Sequence, residues 1–353
     1  MAVVIFFLVC ISQMPLRTFL SSIVDRPLFT VDREMITVAI VQTGLKKLMK
    51  TVRIATRQSQ LALWQAGYIK DRLERAHGDL RCEIVGMTTE GDRNKISPLS
   101  QMGGKGVFVK ELETALIDGR ADIAVHSMKD VPGILPLGLG IHCICERANP
   151  RDAFVSNHFQ TLAEMPVAAV VGSSSLRRIL QISNTYPDLK FEELRGNVDT
   201  RLKKLDGGHY DAIILAVAGL DRLGLSMRVS AEIASDLCVP AAGQGAVGVE
   251  CRDNDEWVID CLRAINDEPT RICVEAERAV TLQLGATCNL PIAAFAEIAH
   301  DIMSISAFVS DTSGDQFIKD TIAGPVADAV QLALTLGQRL IDKGALDLVN
   351  GDA

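Results

Sequence analysis

The sequence predicts an α/β protein: two similar α/β domains joined by two crossings of the chain, then a smaller α+β third domain. Three observations carry this. From Thr51 onward, short β-rich runs alternate with segments of helical period, the pattern of strands and crossover helices. A polar, proline-containing segment, Glu146-Arg147-Ala148-Asn149-Pro150-Arg151-Asp152, interrupts the alternation, which begins again at Ala168 to Val171. Past about Asp267 the pattern changes to a helix, three strands and a long amphipathic helix. A chain of 353 residues has room for two or three domains. The expected division is an extension over 1–48, non-native or disordered, a first domain over 49–146 plus 246–264, a second over 151–240 and a third over 267–353.

Each element has its own signal. Val52 to Ala55 reads as a strand, and Leu61, Trp64, Tyr68 and Ile69 repeat at helical spacing behind Ser59, an N-cap. A second strand covers roughly Cys82 to Met87. A helix from about Val107 places Phe108, Leu112, Ala115 and Leu116 on one face and stops at Gly119. Asp122 to Val125 is a buried strand, and another lies near Ile141 to Cys145. In the second domain, strands are expected at Phe191 to Leu194 and Asp211 to Val217, and Pro240 to Gly245 reads as the return crossover. Two connections between two domains make a hinge. In the third domain the helix runs through Val274 and Leu282, the strands fall between Pro291 and Ile322, and the last helix spans Pro325 to about Lys343.

Composition narrows the function. With 36 Lys+Arg against 44 Asp+Glu the formal charge is −8, which argues against a general nucleic-acid binder. The nine cysteines are odd in number and scattered, so neither a disulfide framework nor a zinc ribbon is written here. A reducing, cytoplasmic setting is expected. The six histidines form no metal-spaced cluster, and no metal is expected. The apolar run Ala2 to Ile11 is too short for a bilayer, and no basic residue precedes it, since the first is Arg17. Translation from Met49, just before the first strand, is therefore favoured over a secretory signal.

The chemistry-bearing motifs sit where strands end. Gly243-Gln244-Gly245-Ala246-Val247-Gly248 has dinucleotide-loop spacing, but a strand-like run follows it instead of a helix. Gly103-Gly104-Lys105-Gly106 lacks the Ser or Thr of a phosphate loop and reads as a flexible loop whose lysine can meet an anion. Ser173-Ser174-Ser175-Leu176-Arg177-Arg178 stands at a strand-to-helix passage, where hydroxyls, free N–H groups and guanidinium groups converge on an anion. Arg195-Gly196-Asn197 with Arg201, and Arg57-Gln58-Ser59, repeat the arrangement. Any one of these reads equally as a surface salt bridge. Together they predict a ligand with several carboxylates or phosphates, bound at the C-terminal strand ends of two facing domains.

His126-Ser127-Met128-Lys129-Asp130 follows a buried strand, which delivers Lys129 and Asp130 to the same cleft. A carboxylate among cations stabilises a developing cation or shuttles a proton; a helix cap or salt bridge is the plainer reading. His126 is expected to be packed and hydrogen-bonded. Cys288, on a turn before Pro291, is either inert packing or an accessible thiol.

Taken together, these residues resemble the porphobilinogen deaminase (hydroxymethylbilane synthase) family of tetrapyrrole biosynthesis. The likeness rests on Arg53-Ile54-Ala55-Thr56-Arg57, Gly104-Lys105-Gly106, Ala124-Val125-His126-Ser127-Met128-Lys129-Asp130, Ser174-Ser175-Leu176-Arg177-Arg178, Leu194-Arg195-Gly196-Asn197-Val198 and Pro240 to Gly248. It spans nearly all of the chain beyond Met49. The resemblance implies an α/β fold of two periplasmic-binding-protein-like domains with a smaller α+β third, and a monomer without nucleic-acid or membrane partners. It implies a transferase that joins four porphobilinogen molecules head to tail on a dipyrromethane held by a cysteine thioether, losing ammonia and releasing hydroxymethylbilane.

The same resemblance gives the residues roles. Asp130 matches the catalytic aspartate, suited to hold pyrrole N–H groups and to stabilise the azafulvene cation left by ammonia. Cys288 matches the cysteine that carries the dipyrromethane, with Lys129, Asp130, Ser175, Arg177 and Arg178 as further cofactor contacts. Arg57, Ser59, Arg195 and Arg201, with Lys105 and Phe108 of a mobile loop, match substrate-handling positions. Three departures stand out: Gln101 where many members carry a basic residue, Thr287 where a smaller residue is usual beside the cysteine, and the 48-residue extension. The alternative of another class is a secreted two-domain binder of a small polyanion, for which Asp130 and Cys288 have no evident use.

Overall fold

The computed structural model describes residues 50–89, 91, 109–285 and 290–350. Gln101, Lys105, Phe108, Thr287, Cys288 and the 1–48 extension lie outside the described residues. The chain opens with β1 (Lys50–Arg57), α1 (Gln60–Ala76) and β2 (Leu80–Met87), followed by α2 (Lys110–Ile117), β3 (Ile123–Ser127) and β4 (Leu139–Ile144). It then crosses to β5 (Asp152–Ser156), β6 (Val170–Gly172), α3 (Leu176–Thr185), β7 (Lys190–Glu192), α4 (Val198–Asp206), β8 (Ala212–Ala216), α5 (Val217–Arg222) and β9 (Ala231–Ile233). It returns through β10 (Val247–Arg252) and α6 (Glu256–Arg263). The last part comprises α7 (Glu268–Gln283), β11 (Ile292–Ala299), β12 (Ile302–Ser310), β13 (Phe317–Pro325), α8 (Ala329–Asp342) and α9 (Ala345–Asn350).

The first two sheets repeat one design. Their strand orders are β2-β1-β3-β10-β4 and β7-β6-β8-β5-β9. Position by position, each has parallel strands on one side and a single antiparallel strand, β10 or β5, fourth in order. Each sheet is thus largely parallel, with one reversed strand. The cause is the double crossing: each sheet receives as its antiparallel strand the segment that has just come over from the other. Two strands carried no clear sequence signal. β5 is headed by a charged residue and β9 is three residues long.

Local chemistry explains where elements start and what they bury. Ser59 Oγ accepts from the Ala62 amide at 3.3 Å and caps α1. Asp267 caps α7 by accepting from Thr270 N, with Pro269 in the first turn. α1 buries Ala62, Gln65, Ala66, Ile69 and Leu73. Each large aliphatic side chain removed from water in this way contributes about 1.5–3 kcal/mol. Of the expected stripe Leu61, Trp64, Tyr68 and Ile69, Ile69 is buried in the core and Tyr68 packs against it, whereas Trp64 is exposed. Trp64 and Tyr68 stack at 5.4 Å between centroids, and the guanidinium groups of Arg72 and Arg222 lie over Tyr68 and Trp64. Aromatic faces serve cations as well as they serve a core.

In the third sheet β11, β12 and β13 pair antiparallel in sequence order. One core holds Val280 and Leu284 from α7 and its end, Ala294, Met303 and Ile305 from the sheet, and Leu336 and Leu340 from α8. The long helix α8 begins at Ala329, after a short 3-10 turn, four residues later than the sequence pattern indicates. The seven described cysteines are free and buried. Among the described residues no helix is long and apolar enough to cross a membrane.

Candidate active site

The site begins with a strand that cannot be seen from solvent. Ile123, Ala124 and Val125 of β3 are buried, and so is His126, whose Nε2 lies 2.8 Å from Glu250 Oε2 on β10. The strand ends in the 3-10 turn Met128–Asp130. Met128 is 1 % exposed, and its amide donates to Ala246 O at 3.1 Å. Gly243, at φ +72°, passes so close that a Cβ there would sit 2.6 Å from Met128 Cβ. Gly245, at φ +87°, would bring a Cβ within 2.5 Å of Ala148 O on the other crossover. The glycines of the return crossover are thus required by close packing and by left-handed backbone. With Met128 anchored on them, Lys129 and Asp130 turn outward, half-buried.

Asp130 is the carboxylate whose charge acts, through space, on both Lys129 and Arg201, and among the described residues no hydrogen bond or ion pair ties it. Lys129 Nζ donates to Gln244 Oε1 at 3.3 Å. Burial, with the neighbouring Arg178, lowers Lys129 to about 8, while Asp130 and Asp152 act in the opposite sense.

Across the cleft, the residues after β6 form a clamp. Ser174 Oγ donates to Leu194 O, and Ser175 caps the backbone of α3, its carbonyl accepting from Arg178 and Ile179 amides. Arg177 Nη2 and Arg178 Nη2 bind the two oxygens of Asp152 at 2.8 and 2.7 Å. Arg178 Nε also donates to Asp152 Oδ1 at 2.9 Å and its Nη1 to Ile214 O at 3.1 Å, while Arg177 Nη1 donates to Val239 O at 2.6 Å and to Cys238 Sγ at 3.3 Å. Asp152 is fully buried; burial alone would raise its pKa, but the two guanidinium groups prevail and hold it well below the usual carboxylate range. Cys238 beside them is pushed up to about 12 by burial, which leaves it an unreactive thiol. The two arginines therefore meet a carboxylate of the chain itself, a different employment from the direct anion contacts expected of them. Two cations on one anion still leave a positive field.

The second arginine pair is placed differently. Arg201, on α4, donates from Nε to Gly196 O at 2.7 Å. Among the described residues it has no carboxylate within ion-pair distance, and burial together with Arg178 and Arg195 lowers it to about 10. Arg195 Nε stands 3.6 Å from Glu193 at the edge of the site. Arg57 ends β1, parallel to β3, so it and Ser59 belong to the same end of the first sheet as Asp130. Electrostatics thus brings together Lys129, Asp130, Arg177, Arg178, Arg195 and Arg201. Cys288, Lys105 and Phe108 lie outside the described residues and take no part in this description.

Two residues of this constellation were not singled out from sequence: Asp152 and Gln244. The signal for Asp152 is a charge heading the buried run Ala153-Phe154-Val155, which obliges the chain to supply a counter-charge. A third polar junction was also missed. Arg147 grips Glu277 of α7 at 2.6 and 3.2 Å, and Glu277 accepts from Gly243 N and Ala296 N. It ties both crossovers to the third sheet.

Fold and site define an α/β protein of two like sheets and a smaller third, with a cluster of cations around one aspartate. The chain belongs to the porphobilinogen deaminase family: residues 52–260 match the model of its dipyrromethane cofactor-binding domain, and residues 271–342 that of its C-terminal domain. It is accordingly a hydroxymethylbilane synthase, a transferase of tetrapyrrole biosynthesis that uses porphobilinogen and a dipyrromethane cofactor. Similar solved structures include the BvgS periplasmic VFT2 domain of Bordetella pertussis, 14% identical over 68% of this chain and 93% of that one, with a TM-score of 0.37. A putative methionine-binding lipoprotein of Bacillus subtilis is 12% identical over 63% and 92%, with a TM-score of 0.39.

The residues present suit that cofactor. Each of its rings carries an acetate and a propionate, and the opening offers Lys129, Arg195 and Arg201 in the field of the Arg177–Arg178 clamp.

Proposed function

We propose that this chain joins four porphobilinogen molecules head to tail on a dipyrromethane held as a thioether by Cys288, losing one ammonia per molecule added, and that water then releases the product as hydroxymethylbilane. The observation that carries the reading is Asp130: a carboxylate with no tether among the described residues, facing cations from the opposite lobe. The dipyrromethane, when bound, supplies the pyrrole carbon that is extended. Asp130 accepts from pyrrole N–H groups and stabilises the cation left on a substrate when its ammonia departs, a site where positive charge develops. Lys129, Arg195 and Arg201 hold ring carboxylates, and Arg57 and Ser59 receive those of the incoming substrate. Arg177 and Arg178 set the positive field behind them, and Ser175 is a further cofactor contact. Lys105 and Phe108 are further substrate-binding residues in this reading.

The division 49–146 plus 246–264, 151–240 and 267–353 is proposed as three domains, working as a cytoplasmic monomer. Repeated strand order in the first two sheets and two crossovers support it.

Asp130→Asn tests the reading. It removes a charge with little change of shape, so folding and cofactor content should persist while turnover of porphobilinogen falls roughly a hundred- to a thousandfold. A folded, cofactor-loaded mutant with near-normal turnover would refute the role.

A further inference from the structure

We propose that Gln244 is a positioning residue: its side-chain amide links Lys129 of the first lobe to Asp152 of the second, and so holds the lysine toward the opening. Lys129 matters to catalysis only through the carboxylate-holding role proposed above, on which this inference rests.

Gln244 is 1 % exposed. Its Nε2 donates to Pro150 O at 2.6 Å and to Asp152 Oδ1 at 2.9 Å. Both partners are acceptors, so the amide has one possible orientation, with Oε1 aimed at Lys129 Nζ. That oxygen is the only hydrogen-bond acceptor of Lys129 among the described residues. The main chain of Gln244 is fastened as well: its amide donates to Ala241 O at 2.9 Å and its carbonyl accepts from Arg147 Nε at 2.8 Å. Pro150 and Asp152 come from the outgoing crossover and Gln244 from the returning one. The lysine is therefore held only when both crossovers are seated together. A neutral amide suits this place, because it passes the pull of Asp152 to Lys129 without adding charge between Arg177, Arg178, Asp130 and Asp152, the charged groups that face the ammonium.

The test reads Lys129 directly. Intact protein is acetylated briefly with acetic anhydride across a pH series, and labelling of the Lys129 peptide is followed by mass spectrometry. In the unsubstituted protein its half-labelling pH should fall near 8. Gln244→Leu removes the acceptor and leaves the ammonium among cations, so the half-labelling pH should drop by about one unit. Gln244→Glu keeps an oxygen toward Lys129 and should label at or above the original pH. Gln244→Met, unbranched and equally lacking the oxygen, makes the same comparison if the leucine variant does not fold. A folded leucine or methionine variant whose Lys129 labels at the original pH overturns the proposal. KM for porphobilinogen separates this from the reading it rests on: a shifted labelling pH with unchanged KM supports the Gln244 contact and removes the carboxylate-holding role of Lys129.

Discussion

Two pairs of arginines stand at one opening and are used in different ways. Arg177 and Arg178 are 5 and 6 % exposed and share the buried Asp152. Arg201 is half-buried with only a backbone carbonyl on its Nε, and Arg195 stands at the edge near Glu193. In sequence the two pairs look alike, each following a short strand. The difference is the carboxylate the fold supplies to one pair and not to Arg201. A guanidinium already committed to the chain stabilises structure and projects a field; one without an acidic partner is available to a ligand.

The largest effect should come from Asp152→Asn. It leaves two buried cations without a counter-charge, a loss of about 3–5 kcal/mol of stability, measurable by urea denaturation. A loss below about 1 kcal/mol would break the distinction between the pairs. The same group predicts the acid response. The folded-state pKa of Asp152 is depressed, so its contribution is present above the unfolded value and is lost as pH falls through the folded one. The acid unfolding of the wild type should therefore be steeper than that of the mutant.

Arg201→Leu should do the reverse, leaving denaturation nearly unchanged while raising KM for porphobilinogen by about 10- to 100-fold, the worth of one charge-assisted hydrogen bond. Loss of stability with unaltered KM would place Arg201 with the clamp.

The smallest effect concerns Lys129. Its pKa is lowered from 10.5 to about 8, so the ammonium is lost in the folded state before the unfolded one. Between those values the unfolded chain binds more protons, and this group makes stability rise with pH. Carboxylate binding moves the other way and should weaken as pH rises through about 8, seen as an alkaline limb in kcat/KM. An alkaline limb absent up to pH 10 would contradict it.

What could be read from sequence was what depends on neighbours in the chain. Ser59 as a cap, Gly119 at φ +68° ending a helix, and the buried run that delivers Lys129 and Asp130 are local facts. What escaped is partner choice across the fold. Asp152 and Arg177 are 25 residues apart, and nothing between them announces the pairing. Gln244 was hidden by its glycine neighbours, whose spacing draws attention to the backbone although the side chain makes the link. Trp64 follows the helical period, yet it is exposed and carries Arg222 of α5 over its ring, so it is not a core residue.

The covalent primer is the claim on which the whole account turns. Peptide mapping of the active protein by mass spectrometry tests it most directly. The peptide containing Cys288 should be heavier than its sequence by one dipyrromethane, the other cysteine peptides should be unmodified, and Cys288→Ser should lack the added mass and be inactive. An active preparation whose Cys288 peptide has its bare sequence mass would contradict the account.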